Sequence, residues 1–243
     1  MFFIFKGVKI NYTIKGDGQN LLFLHGWGGS TQSFLAFENR LQTNRRINID
    51  FPPFGFSDKM AEPWTVETYA EMVMALLKEL GVTKVFVVAH SFGARVAIML
   101  AQDVSLVQKL VLTGAAGLKP KKSIKKSLSI MRYKLCKRLV KIKLMKKERL
   151  SKFGSSDYRA ADGMTKQTII NITNFDQTEM LKNITAPTLL LWGKDDTETP
   201  LYMARKLEKL IKDSALIVLN GGHFAYIENF EQTLRIINSF LGE

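Results

Sequence analysis

Val85-Phe86-Val87-Val88-Ala89-His90-Ser91-Phe92-Gly93 is a short apolar run that ends at a serine flanked by small residues, with helix-forming residues from Ala94 to Ala101 behind it. The apolar part is too short for a helix and rich in Val and Phe, as expected of a buried parallel strand that feeds a crossover helix. Ser91 then falls at the apex of a tight turn. Ala89 and Gly93 let the backbone pass close to itself, so the serine can take the strained conformation that lifts its hydroxyl clear of the sheet. A nucleophile needs that geometry. The alternative is that Ser91 only caps the helix that follows.

Working outward, Phe2 to Phe5 and Val8 to Ile14 read as an antiparallel hairpin punctuated by Gly7 and Gly16. Leu21 to Leu24 is an internal strand that ends in the loop His25-Gly26-Trp27-Gly28-Gly29-Ser30, with Thr31 or Ser33 placed to open a helix toward Leu41. Arg46 to Asp50 is a further strand, followed by a loop in which Pro52 and Pro53 forbid either regular element. Thr65 to Leu80 is an amphipathic helix stopped by Gly81, and Lys109 to Thr113 is again an internal strand. Strands alternating with helices predict an α/β fold with a mostly parallel, doubly wound sheet of about eight strands. After Gly117 the rhythm breaks until Ala186-Pro187. It then resumes with a strand at Pro187 to Gly193, a helix from Pro200 to Ile211, a strand at Ala215 to Leu219 and a helix from Tyr226 to Leu241. The expected organisation is a core of residues 1–117 and 186–243 interrupted by an inserted helical segment, residues 118–185.

The small-x-Ser-x-Gly pattern at Ala89 to Gly93 resembles the nucleophile elbow of the α/β-hydrolase family, with Ala89 where glycine is commonest. That resemblance implies a serine hydrolase with a Ser-His-Asp triad. Of three histidines, His90 shares the turn with Ser91 and should point away from it, and His25 sits where the family has a histidine that supports the loop. His223 follows the last strand, at the sheet edge that carries Ser91, and is the expected base. The family form Gly-x-x-Asp-x-x-x-Pro matches Asp196, with Asp195 as the alternative; Thr113 to Gly117 contains no carboxylate that could serve instead. The order Ser91, Asp196, His223 is the one expected for the fold. The backbone amides of Trp27 and Phe92 are the candidate oxyanion donors, and Trp27, Phe92 and Phe224 the candidate substrate-binding residues. Because the amide of Trp27 would act and not its ring, Trp27→Ala tests only a pocket role. The loop from Asp50 to Ser57 resembles another family loop, with Pro53 in place of its first glycine, and is assigned a structural role. No cofactor or metal is implied.

The net charge of +13 is local. Residues 119–152 hold fifteen Lys and Arg against the one acid Glu148, leaving the rest of the chain near neutral. Within that segment Ile124, Leu128, Met131, Leu135, Leu139, Ile142 and Met145 recur at helical spacing, so a long basic amphipathic helix is expected, followed by a helical stretch around Tyr158 to Ile172. Its basic face fits either an anionic membrane surface or a phosphate-bearing acyl donor, or else is simply solvated. Tyr133 is nearly the lone aromatic there, which argues against nucleic-acid binding. The single cysteine, Cys136, permits no internal disulfide, and the apolar start Met1 to Phe5 is cut short by Lys6, so no signal peptide or membrane span is expected and the cytoplasm is the expected location. The reading is a carboxylic-ester hydrolase acting on a small-molecule ester or acyl substrate through an acyl-enzyme. Cleavage of a C–C bond, lactone or thioester by the same triad is the alternative, and a non-catalytic binding protein the alternative of another class.

Overall fold

The computed structural model describes residues 1–41, 44–119, 124–142, 144–146, 149 and 156–242. Eight strands form one sheet in the order β1-β2-β4-β3-β5-β6-β7-β8. They are β1 (Phe2–Phe5), β2 (Val8–Lys15), β3 (Gln19–Leu24), β4 (Asn44–Ile49), β5 (Val85–His90), β6 (Val107–Thr113), β7 (Thr188–Gly193) and β8 (Ser214–Leu219). Strand β2 pairs antiparallel with β1 and β4, and every other pairing is parallel.

The central strands read as unbroken apolar runs because both of their faces are covered. Leu22 and Leu24 of β3, with Val87, Ala89, Leu110, Leu112, Leu190 and Trp192 of its neighbours, point to one core. Helices α2 (Val66–Glu79), α3 (Phe92–Leu100) and α7 (Leu201–Leu210) close that side through Tyr69, Val73, Ala97 and Leu207. The alternate residues Leu21, Phe23, Val88, Val111 and Leu191 point the other way, against Phe34, Phe37, Tyr226, Leu234 and Ile237. Those come from α1 (Leu35–Glu38) and the 3-10 turn before it, and from α8 (Ala225–Glu228) and α9 (Phe230–Leu241). Each Val, Leu, Ile or Phe side chain so taken out of water contributes roughly 1.5–3 kcal/mol.

Three boundaries differ from the sequence-based expectation, each for a local reason. Ser30, not Thr31 or Ser33, caps the turn after β3, in a reciprocal capping box with Ser33. The stretch around Tyr158 to Ile172 is two helices, α5 (Ser156–Ala160) and α6 (Gly163–Asn174), because the Asp162 side chain accepts from the Thr165 amide and starts a new helix. The last helix is interrupted at Asn229, whose amide group bonds the carbonyls of Asn220 and Ala225. The long basic helix, α4, spans Ile124–Lys141. The sequence also places a separation at Gly154-Ser155-Ser156 between this helix and the next; residues 154 and 155 lie outside the described residues, and Ser156 is the first residue of α5.

Strand β3 lies between β4 on one side and β5 on the other, so the strand order reverses there. A crevice opens at the carboxyl ends of β3 and β5, which is where open α/β sheets bind ligands. The Gly26-Trp27 loop and Ser91 both emerge into it.

Candidate active site

Ser91 has φ 49° and ψ −110°, a conformation strained for a residue with a side chain. Its neighbours explain how the fold holds it there. A Cβ on Gly93 would overlap the carbonyl oxygen of Leu24, and one on Gly26 would come within 2.9 Å of the His90 ring, so both positions are held to glycine by close approach. The Ser91 amide donates to Thr113 O at 3.0 Å, and its own carbonyl accepts from Ala94 and Ala116. Ser91 stands at the N-cap position of α3, yet its side chain makes no capping bond. The hydroxyl is therefore not used to close the helix.

Asp196 and His223 are brought together by the loops after β7 and β8. Gly193 permits this, since a Cβ there would overlap the carbonyl oxygens of Gly221 and Gly222. His223 Nδ1 lies 2.8 Å from Asp196 Oδ2, and the Asp196 side chain is fully buried. The other oxygen, Asp196 Oδ1, accepts from the amides of Glu198 and Thr199, both at 2.9 Å. Thr199 Oγ1 is 2.8 Å from Oδ2 and 3.1 Å from Gly114 O, sharing one proton between them. Burial alone would push the Asp196 carboxyl up; the bonds from His223 and Thr199 and the adjacent imidazole outweigh it and leave it below the ordinary value. Asp195, the alternative, is exposed.

A cavity of about 260 Å³ is lined by Gly26, Trp27, Ser91, His223 and Phe224, with Asp157 and Glu198 at its wall. Ser91 Oγ and His223 share that wall but are not hydrogen-bonded to one another. Glu198 Oε2 lies 3.5 Å from His223 Nε2 on a side chain that is 66% exposed. A second hollow of about 290 Å³ adjoins across Trp27, Gly28 and Asp157 and continues to Phe54 and Ala161. The larger hollow of about 480 Å³ beside Ile217 and Phe240 shares none of these residues.

Trp27 stacks edge-on against Phe54 and Phe92 at 4.9 and 5.4 Å. The Phe92 ring is buried behind it against Phe51 and Tyr69, and Phe92 is not among the residues that line the cavity, so its expected place as a substrate-binding side chain is not seen. The Phe92 amide is at the first turn of α3, where free N–H groups favour an anion. Phe224 is half exposed at the rim, 5.5 Å from the His223 ring.

His25 is fully buried and occupied at both nitrogens: Nδ1–H donates to Gly26 O at 2.7 Å, and Nε2 accepts from the Phe51 amide at 2.8 Å. Burial lowers it to about 4. It ties the Trp27 loop to the loop after β4. Asp50 orders that second loop, accepting from Asn11, from the Thr31 amide and from the Phe56 amide. No group of three or more His, Cys, Asp or Glu among the described residues is disposed to hold a metal ion.

A model of the alpha/beta hydrolase family matches residues 21–236. The chain belongs to this family. It is similar to a pyrrolizixenacetamide deacetylase of Xenorhabdus hominickii, 25% identical over 252 residues that cover 96% of this chain and 94% of the relative. It is also similar, at 25% identity over 260 residues, to a 2-hydroxymuconate semialdehyde hydrolase of Pseudomonas putida, with 98% and 92% of the two chains covered. An esterase from Exiguobacterium antarcticum shares the fold with a TM-score of 0.78 and 24% identity, covering 98% of this chain and 97% of the other. The α/β-hydrolase architecture expected from the elbow is thus the observed one.

The sequence did not disclose four neighbours of the site. Thr199 holds Asp196, Glu198 and Asp157 give the cavity two carboxylates, and His90 lies against His223 with ring centroids 4.7 Å apart. His90 Nδ1 is 3.1 Å from Thr113 O, and burial together with the neighbouring imidazole lowers it to about 3. The Thr199 and Glu198 roles had a signal, since both fall inside the Asp196-to-Pro200 motif. Asp157 had none, as it reaches the cavity from the inserted segment.

Proposed function

We propose that this hydrolase cleaves a carboxylic ester through an acyl-enzyme formed on Ser91. The observation that carries the reading is the buried Asp196 holding Nδ1 of His223 at 2.8 Å beside the strained Ser91. With Nδ1–H donated to Asp196, the lone pair of Nε2 is free to take a proton. The Ser91 hydroxyl gives its proton to Nε2 as Oγ bonds the acyl carbon. The carbonyl electrons move onto oxygen, where the amides of Trp27 and Phe92 stabilise the charge. Collapse expels the alkoxide, which takes the proton back from His223. Water then repeats the sequence and releases the acid. The gap between Ser91 and His223 is no objection, because catalytic hydrogen bonds tighten when substrate binds.

The cavity favours a small, uncharged or cationic substrate. Its volume of about 260 Å³ lies below the usual range for drug-sized ligands, so short acyl groups fit best. Asp157 and Glu198 line it and, among the described residues, no Lys or Arg does, which disfavours a phosphate-bearing donor. Residues 118–185 act as the lid in this reading, contributing Asp157 to the cavity wall and Ala160 and Ala161 to the adjoining hollow. The core is then residues 1–117 and 186–243. A C–C, lactone or thioester bond could be cleaved by the same steps.

The test is a series of aryl esters of increasing acyl length, assayed on the wild type and on Ser91→Ala, with a fluorophosphonate label as the second readout. Hydrolysis should be fastest for short acyl groups and fall by at least about 10³-fold in the variant, with loss of labelling. Full activity in Ser91→Ala would overturn the reading. An inert, unlabelled wild type would point to a binding protein on the same fold.

A further inference from the structure

Helix α4 shows solvent the face that an amphipathic helix ordinarily packs away. Leu128 is 50% exposed, Met131 62%, Leu135 58% and, just beyond the helix, Ile142 60%. At 3.6 residues per turn these four side chains fall in one stripe. Tyr133, Cys136, Leu139 and Val140, on the adjoining face, are only partly buried, and no described side chain of α4 is fully buried. The contrast with α6 is direct. There Ile169 and Ile172 are buried, and Thr168 and Asn171 bond the backbone of Trp64. The apolar stripe of α4 is therefore not what holds the helix to the protein.

The charge around the stripe identifies its partner. By helical position Arg132 flanks it on one side and Lys134, Arg138 and Lys141 on the other, and Arg132, Lys134, Lys137, Arg138 and Lys141 are all exposed. The chain outside residues 119–152 is near neutral, so the net positive charge is concentrated in the segment that contains α4. We propose that α4 docks the protein on the surface of an anionic lipid bilayer, lying in the plane of the interface. Leu128, Met131, Leu135 and Ile142 enter the acyl boundary while the lysines and arginines meet acidic headgroups. Long basic side chains at the edges of such a stripe keep their stems in the apolar layer and their charges in water. Nucleic acid would use the cations but leave the stripe wet. Among the described residues no helix is long and apolar enough to cross a membrane, and a helix lying in the interface needs no such length. Docking of this kind does not depend on the hydrolase chemistry.

The experiment is co-sedimentation with phosphatidylcholine vesicles, with and without phosphatidylglycerol, at physiological salt. The full chain is compared with a charge variant, Arg132→Gln/Lys134→Gln/Lys141→Gln, and a stripe variant, Met131→Asn/Leu135→Asn/Ile142→Asn. Fluorophosphonate labelling and the melting temperature check that the core is intact. The wild type should partition at least about tenfold better onto the anionic vesicles. Three charges removed should lower that by about a hundredfold, and the stripe variant should lose at least about tenfold. Equal binding to both vesicles, or none, would overturn the proposal. So would a stripe variant that binds like the wild type while a duplex RNA competes, which makes the face a simple polyanion site. A dimer in light scattering that the stripe variant abolishes would assign the stripe to a second copy of the chain and would also overturn it.

Discussion

Replacing Asp196 by asparagine tests the proposed triad more sharply than an alanine does, because the surrounding bonds dictate how the amide must sit. Oδ1 accepts from two backbone amides, those of Glu198 and Thr199, both at 2.9 Å. An NH2 group cannot face two N–H donors, so the carbonyl oxygen of the introduced asparagine keeps the Oδ1 place and its nitrogen takes that of Oδ2. The nitrogen then points at His223 Nδ1, now 2.8 Å from the Asp196 oxygen. Two donors cannot share that contact, so His223 must accept at Nδ1 and carry its proton on Nε2. In that tautomer it cannot take the proton of Ser91. Loss of the correct tautomer costs about 10⁴ in kcat, equivalent to about 5.5 kcal/mol of barrier. The shape of the side chain is unchanged, so the melting temperature should move by only a few degrees and KM should change little. Aryl-ester kinetics give the rate, and 15N spectra of the three histidines report the tautomer directly. A variant that keeps more than a tenth of the wild-type kcat would refute the reasoning and move the acid's role to Asp195 or Glu198.

Glu198→Gln should lower kcat/KM by less than about tenfold, because its carboxylate is 66% exposed and 3.5 Å from Nε2, where water screens the pair; a loss as large as that of Asp196→Asn would exchange the two roles. Gly93→Ala should cost at least about 3 kcal/mol and lower the melting temperature by roughly 10 °C, since the new methyl would overlap backbone that cannot yield; a wild-type melt would contradict the close approach of α3 to β3. Stability should fall as pH drops below 6.5, because His25 and His90 are held near 4 and 3 when folded but bind protons near 6.5 when unfolded. The unfolded state then binds more protons, and at pH 5 the two together take away about 4 kcal/mol. Urea unfolding at pH 7.5 and pH 5 measures this, and equal midpoints would show that the two imidazoles are not buried neutral.

The sheet was legible because its code is local. Runs such as Val85–His90 and Thr188–Gly193 lack polar alternation only when both faces are covered, so they announce internal strands and the parallel order follows. Helix ends were less legible where a side chain away from the apolar stripe decides them. The capping bond of Asp162 divides α5 from α6, and Asn229 divides α8 from α9, neither disturbing the apolar spacing. Ser91, Asp196 and His223 could be named because each sits at a strand end, where chain order sets position. Asp157 could not, since its place on the cavity wall depends on how the inserted segment folds over the core, and no periodicity records that. The same holds for the outward stripe of α4: spacing gives an apolar face but not the direction in which it points.

His90 shows what position in the turn leaves out. Its place beside Ser91 predicts a side chain directed away from that of the serine but not what the ring meets, and it lies 4.7 Å from the ring of His223. In the proposed mechanism His223 becomes an imidazolium as Ser91 attacks, and a second charge at that distance would oppose it. At an effective dielectric constant of about 20 the repulsion is roughly 3.5 kcal/mol, which would slow the reaction by roughly 300-fold. Burial to 2% exposure, with the neighbouring imidazole, holds His90 near 3 against the opposing bond to Thr113, and therefore neutral wherever His223 must work. The proposed base, His223, stands on the cavity wall above it, and the elbow thus supplies beside its serine an uncharged floor that adds no repulsion when the base takes the serine proton.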